Sequence, residues 1–432
     1  MKNILLASVV FILSMSLVFA RGEPPAPHVM NPDLMNVQNQ CIVQLSDDIE
    51  RDNVRGIANA LAKRAGATNK FVYENSIKGF TINLPCQAAD RAFGASAWVA
   101  RMEPDSIVSI SKGKPNRGGD DTSLEQPTQT QDWGVVRVGA PIDDDSEDNN
   151  VPSDFTATAW VIDSGVDLNH PDLNVYQKGG FTVFSKKQGG MDDQNGHGTH
   201  VAGTIAAIDN SMGSIGVAPG ATIVPVRVLD RRGSGTISGV IAGVDYVAEN
   251  AEDGDCVNMS LGGGISQALD LAVIKAARAD PQKYDKELDP AEYFLHEGPY
   301  FVLAAGNNGE DAKNHSPARV GGISDTDNIF TIAAIDNNNE MPSWSNYGED
   351  VEYAAPGVSI FSLWKDGGTK TISGTSMAAP HACAVLMLKG LNHWVNKTTM
   401  DSNESAYPII HTGKGLTQNE KSNTYPVYTP NN

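Results

Sequence analysis

Four short stretches of the chain carry polar side chains whose types, in this order, can perform nucleophilic catalysis. They are Asp163 at the end of "WVID", His197 at the start of "HGTHVAG", Asn307 after "FVLAAG" and Ser376 within "SGTSMAAPH". A serine hydroxyl becomes an effective nucleophile when a histidine takes its proton and an aspartate orients that histidine. A side-chain amide can donate to the oxyanion that forms on the attacked carbonyl. The set predicts acyl transfer, and the small neighbours of Ser376 leave room for a carbonyl group.

Each stretch also has a simpler structural interpretation. An aspartate after a strand often begins a turn, and a serine at a helix start often caps the helix. His197 and His200 are three residues apart, a spacing also found in metal sites. A zinc site, however, needs further ligands at suitable spacing. Each stretch alone therefore leaves catalysis and a structural role open.

The segment beyond Trp133 supplies the elements that must position these residues. Apolar runs such as "ATAWVID", "ATIVPVRVL", "DCVNMSL", "PYFVLAAG" and "IFTIAAI" alternate with helical stretches. This alternation predicts an α/β fold with a mostly parallel sheet and helices on both faces. In such sheets functional residues gather at the carboxyl ends of strands, which is where Asp163 and Asn307 fall.

The segment before residue 111 is predicted to be a separate α+β domain. Strand-like and helix-like runs follow in the order βαββαβ from Cys41 to Ile110, with "WVARMEPDSIVSI" as the final strand. This order is typical of a ferredoxin-like domain, a fold that specifies no function. Residues 111–131 are polar and glycine-rich without an apolar period. They predict a linker that is open to proteolysis.

Composition restricts the compartment and the partners. Residues 1–20 contain Lys2, an apolar run and small residues at the end, which predicts a signal peptide rather than an uncleaved membrane anchor. The formal net charge is −20, from 32 basic and 52 acidic residues, so nucleic acid is not an expected partner. We expect a secreted, extracellular monomer without membrane attachment after signal cleavage. The four cysteines allow three disulfide pairings, among which the sequence alone does not choose.

Taken together, the four stretches resemble the subtilisin-like serine proteases. "AAGNNGEDAKNHSPA", "SWSNYG" and "TISGTSMAAPH" are similar to the proteinase K branch, and the resemblance covers residues 129–390. It implies a serine endopeptidase in which Asp163, His197 and Ser376 form the triad, while Asn307 and the Ser376 N–H bind the oxyanion. His197 is preferred to His200 because the family's catalytic histidine is the first of His-Gly-Thr-His. The alternative is a secreted pseudo-protease that only binds, and the presence of all four residues favours the enzyme.

The resemblance also implies an extended cleft for protein and peptide substrates. Ser234 and Gly235 match the strand that pairs with the substrate backbone. The matching walls of the primary specificity pocket are small and uncharged, which implies a broad preference for apolar or aromatic residues. The wall residues are Ser260, Leu261, Gly262, Ala304, Ala305 and Gly306.

A structural calcium ion is the cofactor that the resemblance implies. The helix after His197 breaks at "AAIDNSMGS", and in subtilisins this loop supplies oxygen ligands, which suit calcium better than magnesium. Glu352 replaces an aspartate of a second proteinase K site, so that site is not predicted. The implied ligands are Gln129, Asp172, Ile208, Asn210, Met212 and Ser214.

The N-terminal domain resembles the subtilisin propeptide, most clearly in "IKGFTINL". The resemblance implies a zymogen whose propeptide assists folding, inhibits the enzyme and is removed by self-cleavage between Lys112 and Gln129. A standalone binding module is the alternative. The predicted divisions are 1–20 for the signal peptide, 21–118 for the propeptide with its folded part at 39–111, 119–395 for the catalytic domain and 396–432 for a polar extension.

Three features depart from the family pattern. Ala384 stands where glycine is usual, residues 280–298 form a charged insertion, and the tail after Trp394 matches no family segment. In the family fold, the helix that carries Cys383 passes behind the strand that carries Cys256, so contact between the two is plausible. A bridge also needs matching Cβ directions. We therefore expect these two thiols to be free.

Overall fold

The computed structural model describes residues 34, 36–110, 122–123, 128–140, 151–278, 298–321, 328–390, 393–401, 405–414 and 416. The predicted signal peptide, nearly all of the charged insertion and most of the linker lie outside these residues. Among the described helices, none is both long enough and apolar enough to cross a membrane.

The N-terminal domain is an antiparallel sheet with two helices. Its elements are β1 (Cys41–Leu45), α1 (Arg51–Arg64), β2 (Asn69–Tyr73), β3 (Gly79–Ile82), α2 (Cys86–Phe93) and β4 (Val99–Pro104). The strand order is β2-β3-β1-β4, as in a ferredoxin-like fold. Val54, Ala58 and Leu61 lie three or four residues apart, so α1 buries one face against the sheet. The predicted α+β domain is confirmed.

The predicted final strand of this domain is two strands. β4 ends at Pro104, and β5 (Ile107–Ser109) joins a different sheet. Between them the Asp105 carboxylate accepts hydrogen bonds from the N–H groups of Ser106 and Ser238. The second of these bonds reaches across to the second domain, so the chain leaves the first domain at this point.

The second domain is built on a nine-stranded sheet. Its described elements are β6 (Thr122–Ser123), α3 (Trp133–Arg137), β7 (Thr158–Asp163), β8 (Phe181–Thr182), α4 (His197–Ala206), β9 (Thr222–Arg227), β10 (Ser234–Thr236), α5 (Ile237–Asn250), β11 (Cys256–Met259), β12 (Gly262–Gly263), α6 (Gln267–Ala277), β13 (Tyr300–Ala304), β14 (Ile329–Ile335), β15 (Tyr353–Pro356), β16 (Ile360–Trp364), β17 (Gly368–Ile372), α7 (Thr375–Lys389), β18 (Trp394–Met400) and β19 (Ala406–His411).

The large sheet has the order β18-β19-β15-β14-β13-β11-β7-β9-β8, and every pair except β18–β19 is parallel. Helices α4 and α7 pack on one face and α5 and α6 on the other. Covering both faces explains why the central strands are continuous apolar runs. The predicted α/β fold is confirmed.

The sheet continues beyond residue 395, where the sequence predicted the end of the catalytic domain. β18 and β19 form an antiparallel hairpin, and β19 pairs with β15 in parallel. Tyr407, Ile409 and Ile410 are buried there. The predicted boundary is therefore wrong, because the apolar run "AYPII" extends the core instead of belonging to a polar tail.

Both cysteine pairs are bridged, as Cys41–Cys86 and Cys256–Cys383, and no described cysteine is free. The expectation of free thiols at Cys256 and Cys383 is wrong. β11 lies directly beneath α7, and the Cα atoms of the two residues are 5.7 Å apart, which is within the reach of a disulfide.

Candidate active site

The ends of β7 and α4 bring Asp163 and His197 together. Asp163 is the last residue of the strand, His197 is the first residue of the helix, and both are buried. His197 Nδ1 lies 2.9 Å from each carboxylate oxygen of Asp163, and the Ser164 N–H donates to Asp163 Oδ1 at 2.6 Å. Because Nδ1 carries the proton in this contact, Nε2 is the ring nitrogen left to accept one.

Asp193 fixes the loop that precedes His197, although its sequence pattern was not among the predicted site residues. Its buried carboxylate accepts hydrogen bonds from the N–H groups of Gly196 and Thr199 and from the hydroxyls of Ser164 and Thr199. Burial raises the pKa of Asp193. The signal in the sequence is an aspartate followed by "QNG", a pattern typical of a side chain that closes a local turn.

His200 lies one helical turn after His197 but belongs to a different environment. Its Nε2 lies 3.1 Å from the carbonyl oxygens of Ile360 and Lys370, to which it donates. Burial lowers the pKa of His200 to about 3, so the ring is neutral at ordinary pH. Within the described ranges, no three His, Cys, Asp or Glu side chains lie close enough together to hold a metal ion.

Ser376 is the second residue of α7 and is fully buried. Its hydroxyl donates to the carbonyl oxygen of Ser260 at 3.2 Å, and its own carbonyl accepts from the Ser260 hydroxyl at 2.9 Å. His197 Nε2 is buried and makes no hydrogen bond within the described part of the chain. The serine–histidine hydrogen bond of a working triad is therefore not formed in this state.

Asn307 is tied to the residue that precedes Ser376. Its Oδ1 accepts from the N–H of Thr375 at 2.9 Å and from the Thr375 hydroxyl at 3.1 Å. The preceding Gly306 has φ +106°, and a Cβ atom there would lie 2.4 Å from Asn346 Nδ2, so this turn requires glycine. Because Oδ1 of the Asn307 carboxamide faces Thr375, the Nδ2 donors of Asn307 point away from the Thr375 N–H group.

The strands predicted to bind substrate pair instead with a strand of the same chain. β5 lies between β10 and β12 and is antiparallel to both, with Ser109 opposite Ser234 and Gly262. The Ile110 N–H donates to the carbonyl of Gly233 at 2.9 Å. Val108 and Ile110 bury their side chains in the apolar cluster of the second domain, 1% and 8% exposed. Two strand edges of the second domain thus bind an extended peptide.

The two predicted pocket walls lie on neighbouring strands. Residues 260–262 follow β11, residues 304–306 end and follow β13, and these strands pair in parallel. Ser260, Leu261, Ala304 and Ala305 are buried, and the Ala305 carbonyl accepts from Asn346 Nδ2 at 2.9 Å. The structure brings all six wall residues to one edge of the sheet without a charged side chain among them.

The predicted calcium ligands converge beside the end of α4. The buried Asp172 carboxylate accepts from Asn210 Nδ2 at 2.6 Å and from the Ser214 N–H at 3.1 Å, and Gln129 Nε2 donates to the Ile208 carbonyl at 3.2 Å. Burial raises the pKa of Asp172 to about 6. One carboxylate, two carboxamides and nearby carbonyls form an all-oxygen set that suits calcium.

Met212, the remaining predicted ligand, belongs to the same loop. Its N–H donates to Asn210 Oδ1 at 2.7 Å, and its backbone forms an isolated antiparallel β-bridge with Thr128. In this state the amide nitrogen of Asn210 faces the Asp172 carboxylate, and the amide nitrogen of Gln129 faces the Ile208 carbonyl. The residues therefore fit a cation, provided that both amides turn their oxygens inward.

Comparison with known proteins gives one consistent group of relatives. Residues 158–425 match a profile described as "Subtilase family". The chain is 40% identical over 327 residues to "Alkaline serine exoprotease A" of Vibrio alginolyticus, which covers 73% of this chain and 52% of that protein. It thus spans about half the length of that relative. It is 35% identical over 334 residues to "Extracellular serine proteinase" of Thermus sp. (strain Rt41A), covering 75% and 68% of the two chains.

A solved structure agrees with these matches. The "Crystal structure of a cold adapted subtilisin-like serine proteinase" superposes with a TM-score of 0.51 at 38% identity, covering 66% of this chain and 98% of that chain. The likeness therefore extends over nearly all of that chain and about two thirds of this one.

Proposed function

The chain belongs to the subtilase family and is a serine-type protease, and from this premise we propose that it is a secreted endopeptidase with Asp163, His197 and Ser376 as its triad. The paired contacts of 2.9 Å between His197 Nδ1 and Asp163 carry this proposal. In the reaction the Ser376 hydroxyl leaves the Ser260 carbonyl and turns toward His197 Nε2. His197 takes its proton during attack and returns it to the leaving amine, while Asp163 stabilises the imidazolium.

Asn307 and the backbone of Ser376 are the proposed oxyanion donors. The Asn307 carboxamide is fixed through its oxygen on Thr375, so its nitrogen is oriented before substrate arrives. Donors held in this way stabilise the developing charge without reorganising during the reaction. The Ser376 N–H lies in the first turn of α7, where helix N–H groups lack intrahelical partners.

The N-terminal domain is proposed to be the inhibitory propeptide of a self-processing zymogen. Besides β5 in the cleft, its carboxylates contact the starts of two helices of the second domain. Asp105 accepts from the Ser238 N–H at the start of α5, and Glu103 accepts from the Ala268 N–H at the start of α6. Negative charge is favourable at helix N-termini. These contacts hold β5 in the cleft as a substrate-like strand.

The β5 register supports cleavage shortly after the described strand. Ser109 lies opposite Gly262, and Ser260, two residues before Gly262, is hydrogen-bonded to Ser376. Because β5 and β12 are antiparallel, β5 runs toward the end of the cleft that carries Ser376. We therefore propose cleavage soon after Ile110, near the N-terminal limit of the interval predicted from the sequence.

The proposed substrate preference is broad and apolar. The pocket walls carry no charged side chain, and the self-bound strand buries Val108 and Ile110 on the enzyme while its intervening side chain stays outside. Apolar side chains at alternate positions of an extended peptide gain most from this cleft, and the backbone pairing adds affinity without sequence preference. Protein and peptide chains are accordingly the proposed substrates.

Calcium is proposed to stabilise the loop around Asp172. When bound, the ion would offset the negative charge of the buried carboxylate. Asp172 and the amide oxygens of Asn210 and Gln129 would hold it together with the carbonyls of Ile208, Met212 and Ser214. The protein is proposed to act outside the cell, as the predicted signal peptide suggests and as one relative is described. A monomer is the proposed oligomeric state.

Labelling by a serine-directed fluorophosphonate tests the triad. Wild-type protein should be labelled at Ser376, whereas Ser376→Ala should not, and peptidase activity should disappear with the labelling. A wild type that resists the reagent while binding peptides would instead identify a pseudo-protease. A chelator should leave the initial labelling rate unchanged, because calcium does not enter the chemistry.

A further inference from the structure

Three alternate residues of β11 and its extension face the helix that carries the nucleophile. Cys256 is bonded to Cys383 of α7, and Ser260 is hydrogen-bonded to Ser376 at the start of α7. Between them, Asn258 donates through Nδ2 to the Ser260 hydroxyl at 2.8 Å. All five side chains are fully buried. Since residues two apart in a strand share a face, this row connects β11 to α7.

The contact at Ser376 replaces a hydrogen bond that the helix cannot make. In an α-helix the carbonyl of Ser376 would accept from the N–H of residue 380, but residue 380 is Pro380 and has no N–H. The Ser260 hydroxyl donates to this carbonyl instead, at 2.9 Å. Because Asn258 Nδ2 donates to the same hydroxyl oxygen, the Ser260 proton is directed toward Ser376.

The second contact lies two helical turns along α7. Cys383 lies seven residues after Ser376 along the helix, and Cys256 lies four residues before Ser260 along the extended chain, spans of about 10 Å and 13 Å. Between these points the helix presents Ala378, Ala379 and Ala382 to the core. Small side chains offer few interlocking ridges, so packing alone resists sliding of α7 along the sheet only weakly.

We propose that Ser260 and the Cys256–Cys383 bridge position Ser376 for catalysis by fixing α7 on β11 at two points. The inference rests on the proposed role of Ser376 as nucleophile. It assigns to the Ser260 side chain a role other than substrate binding, because its hydroxyl bonds to α7. The Ser376 hydroxyl and N–H belong to the same residue, so a displacement of the helix start moves the attacking atom and the oxyanion donor together.

Two variants of the mature enzyme test the proposal. Ser260→Ala removes the hydroxyl, and Cys256→Val combined with Cys383→Ala removes the bridge while keeping apolar side chains. Each should lower kcat and the rate of fluorophosphonate labelling by about tenfold, since displacements of about 1 Å cost up to about a hundredfold in rate. KM should change less than twofold. The kinetic and labelling measurements are made well below each variant's melting temperature, so that the folded fraction is equal.

A matched control separates positioning from stability. The Thr331 hydroxyl is also buried and donates to a backbone carbonyl, that of Ala318 at 2.7 Å, but it does not contact α7 through this bond. Thr331→Val should lower the melting temperature and leave kcat and the labelling rate unchanged. If Ser260→Ala behaves in the same way, or raises only KM, the positioning role is wrong.

A double-mutant cycle gives an independent measurement. In a Pro380→Ala background, the N–H of residue 380 is available to the Ser376 carbonyl, so Ser260→Ala should lower kcat by less than it does in the wild type. Equal losses in the two backgrounds would overturn the proposed link between Ser260 and the helix start. If the wild type itself is not labelled at Ser376, the proposed catalytic function fails instead.

Discussion

Asp245 provides the sharpest test of the inhibitory role of the N-terminal domain. This buried residue of α5 accepts hydrogen bonds from the backbone N–H groups of Glu74, Asn75 and Ser76 at 3.1, 2.8 and 2.7 Å, and from the Ser76 hydroxyl at 2.9 Å. One carboxylate of the second domain thus binds a whole turn of the first. Asp245→Ala removes the acceptor that these donors share, two of them on half-buried residues and two on the buried Ser76.

The size of the effect follows from the number and the burial of these bonds. Removing one partner of a buried, charged hydrogen-bonding group costs about 2–5 kcal/mol in binding, which corresponds to about 30- to 5000-fold in affinity. Glu249, one helical turn later, makes an ion pair with Arg51 at 3.3 Å in which both side chains are exposed. Exposed pairs contribute about 1 kcal/mol or less, so Glu249→Ala should weaken binding less than about fivefold.

The assay measures inhibition of mature enzyme by the separately added N-terminal domain. Asp245→Ala should raise the inhibition constant by the larger factor while kcat and KM on a short peptide stay unchanged, because Asp245 contacts neither the triad nor the cleft strands. Similar inhibition constants for Asp245→Ala and Glu249→Ala would refute the reasoning. A loss of kcat in Asp245→Ala would show that α5 had been disturbed and would also contradict it.

Three further predictions follow from the site. Burial raises the pKa of Asp172 from 3.8 to about 6, so its ionisation should cost the calcium-free protein about 2 kcal/mol of stability as pH rises from 4 to 7. Calcium should therefore raise the melting temperature more at pH 7 than at pH 4, and Asp172→Asn, which cannot ionise, should remove both dependences in thermal unfolding scans. N-terminal sequencing of self-processed protein should give a first residue between Lys112 and Gln129, close to Lys112, and Ser376→Ala should accumulate unprocessed in a host without other proteases. Equal maturation of that variant would exclude self-cleavage. Asn307→Ala should lower kcat by about 100- to 1000-fold with little change in KM, and a change confined to KM would assign Asn307 to substrate binding.

Much of the molecule could be predicted from local sequence. The apolar runs that end at Asp163 and near Asn307 indicated a parallel sheet, because strands covered on both faces need continuous apolar side chains. The residues flanking His197 and Ser376 indicated the family, and both predictions are confirmed. The catalytic roles themselves stay predictions, although the Asp163–His197 contact supports them.

Other features depended on contacts between distant parts of the chain. The bridge between Cys256 and Cys383 requires two Cα atoms 5.7 Å apart across 127 residues of sequence, a distance set only by how α7 lies on β11. The break between β4 and β5 arises because Asp105 bonds to Ser238 of the other domain. The residues before Ile110 favour an extended chain whether or not that chain changes sheet, so the sequence did not indicate the break.

The sequence by itself determined which residues have the chemistry for acyl transfer and which elements carry them, since both are properties of short segments. The tertiary structure decided what each side chain faces. The Ser260 hydroxyl donates to the Ser376 carbonyl, which Pro380 leaves without a helical partner. The Ser376 hydroxyl donates to the Ser260 carbonyl rather than to His197. These choices depend on hydrogen-bond distances of about 3 Å between separate elements, which no periodicity along the chain encodes.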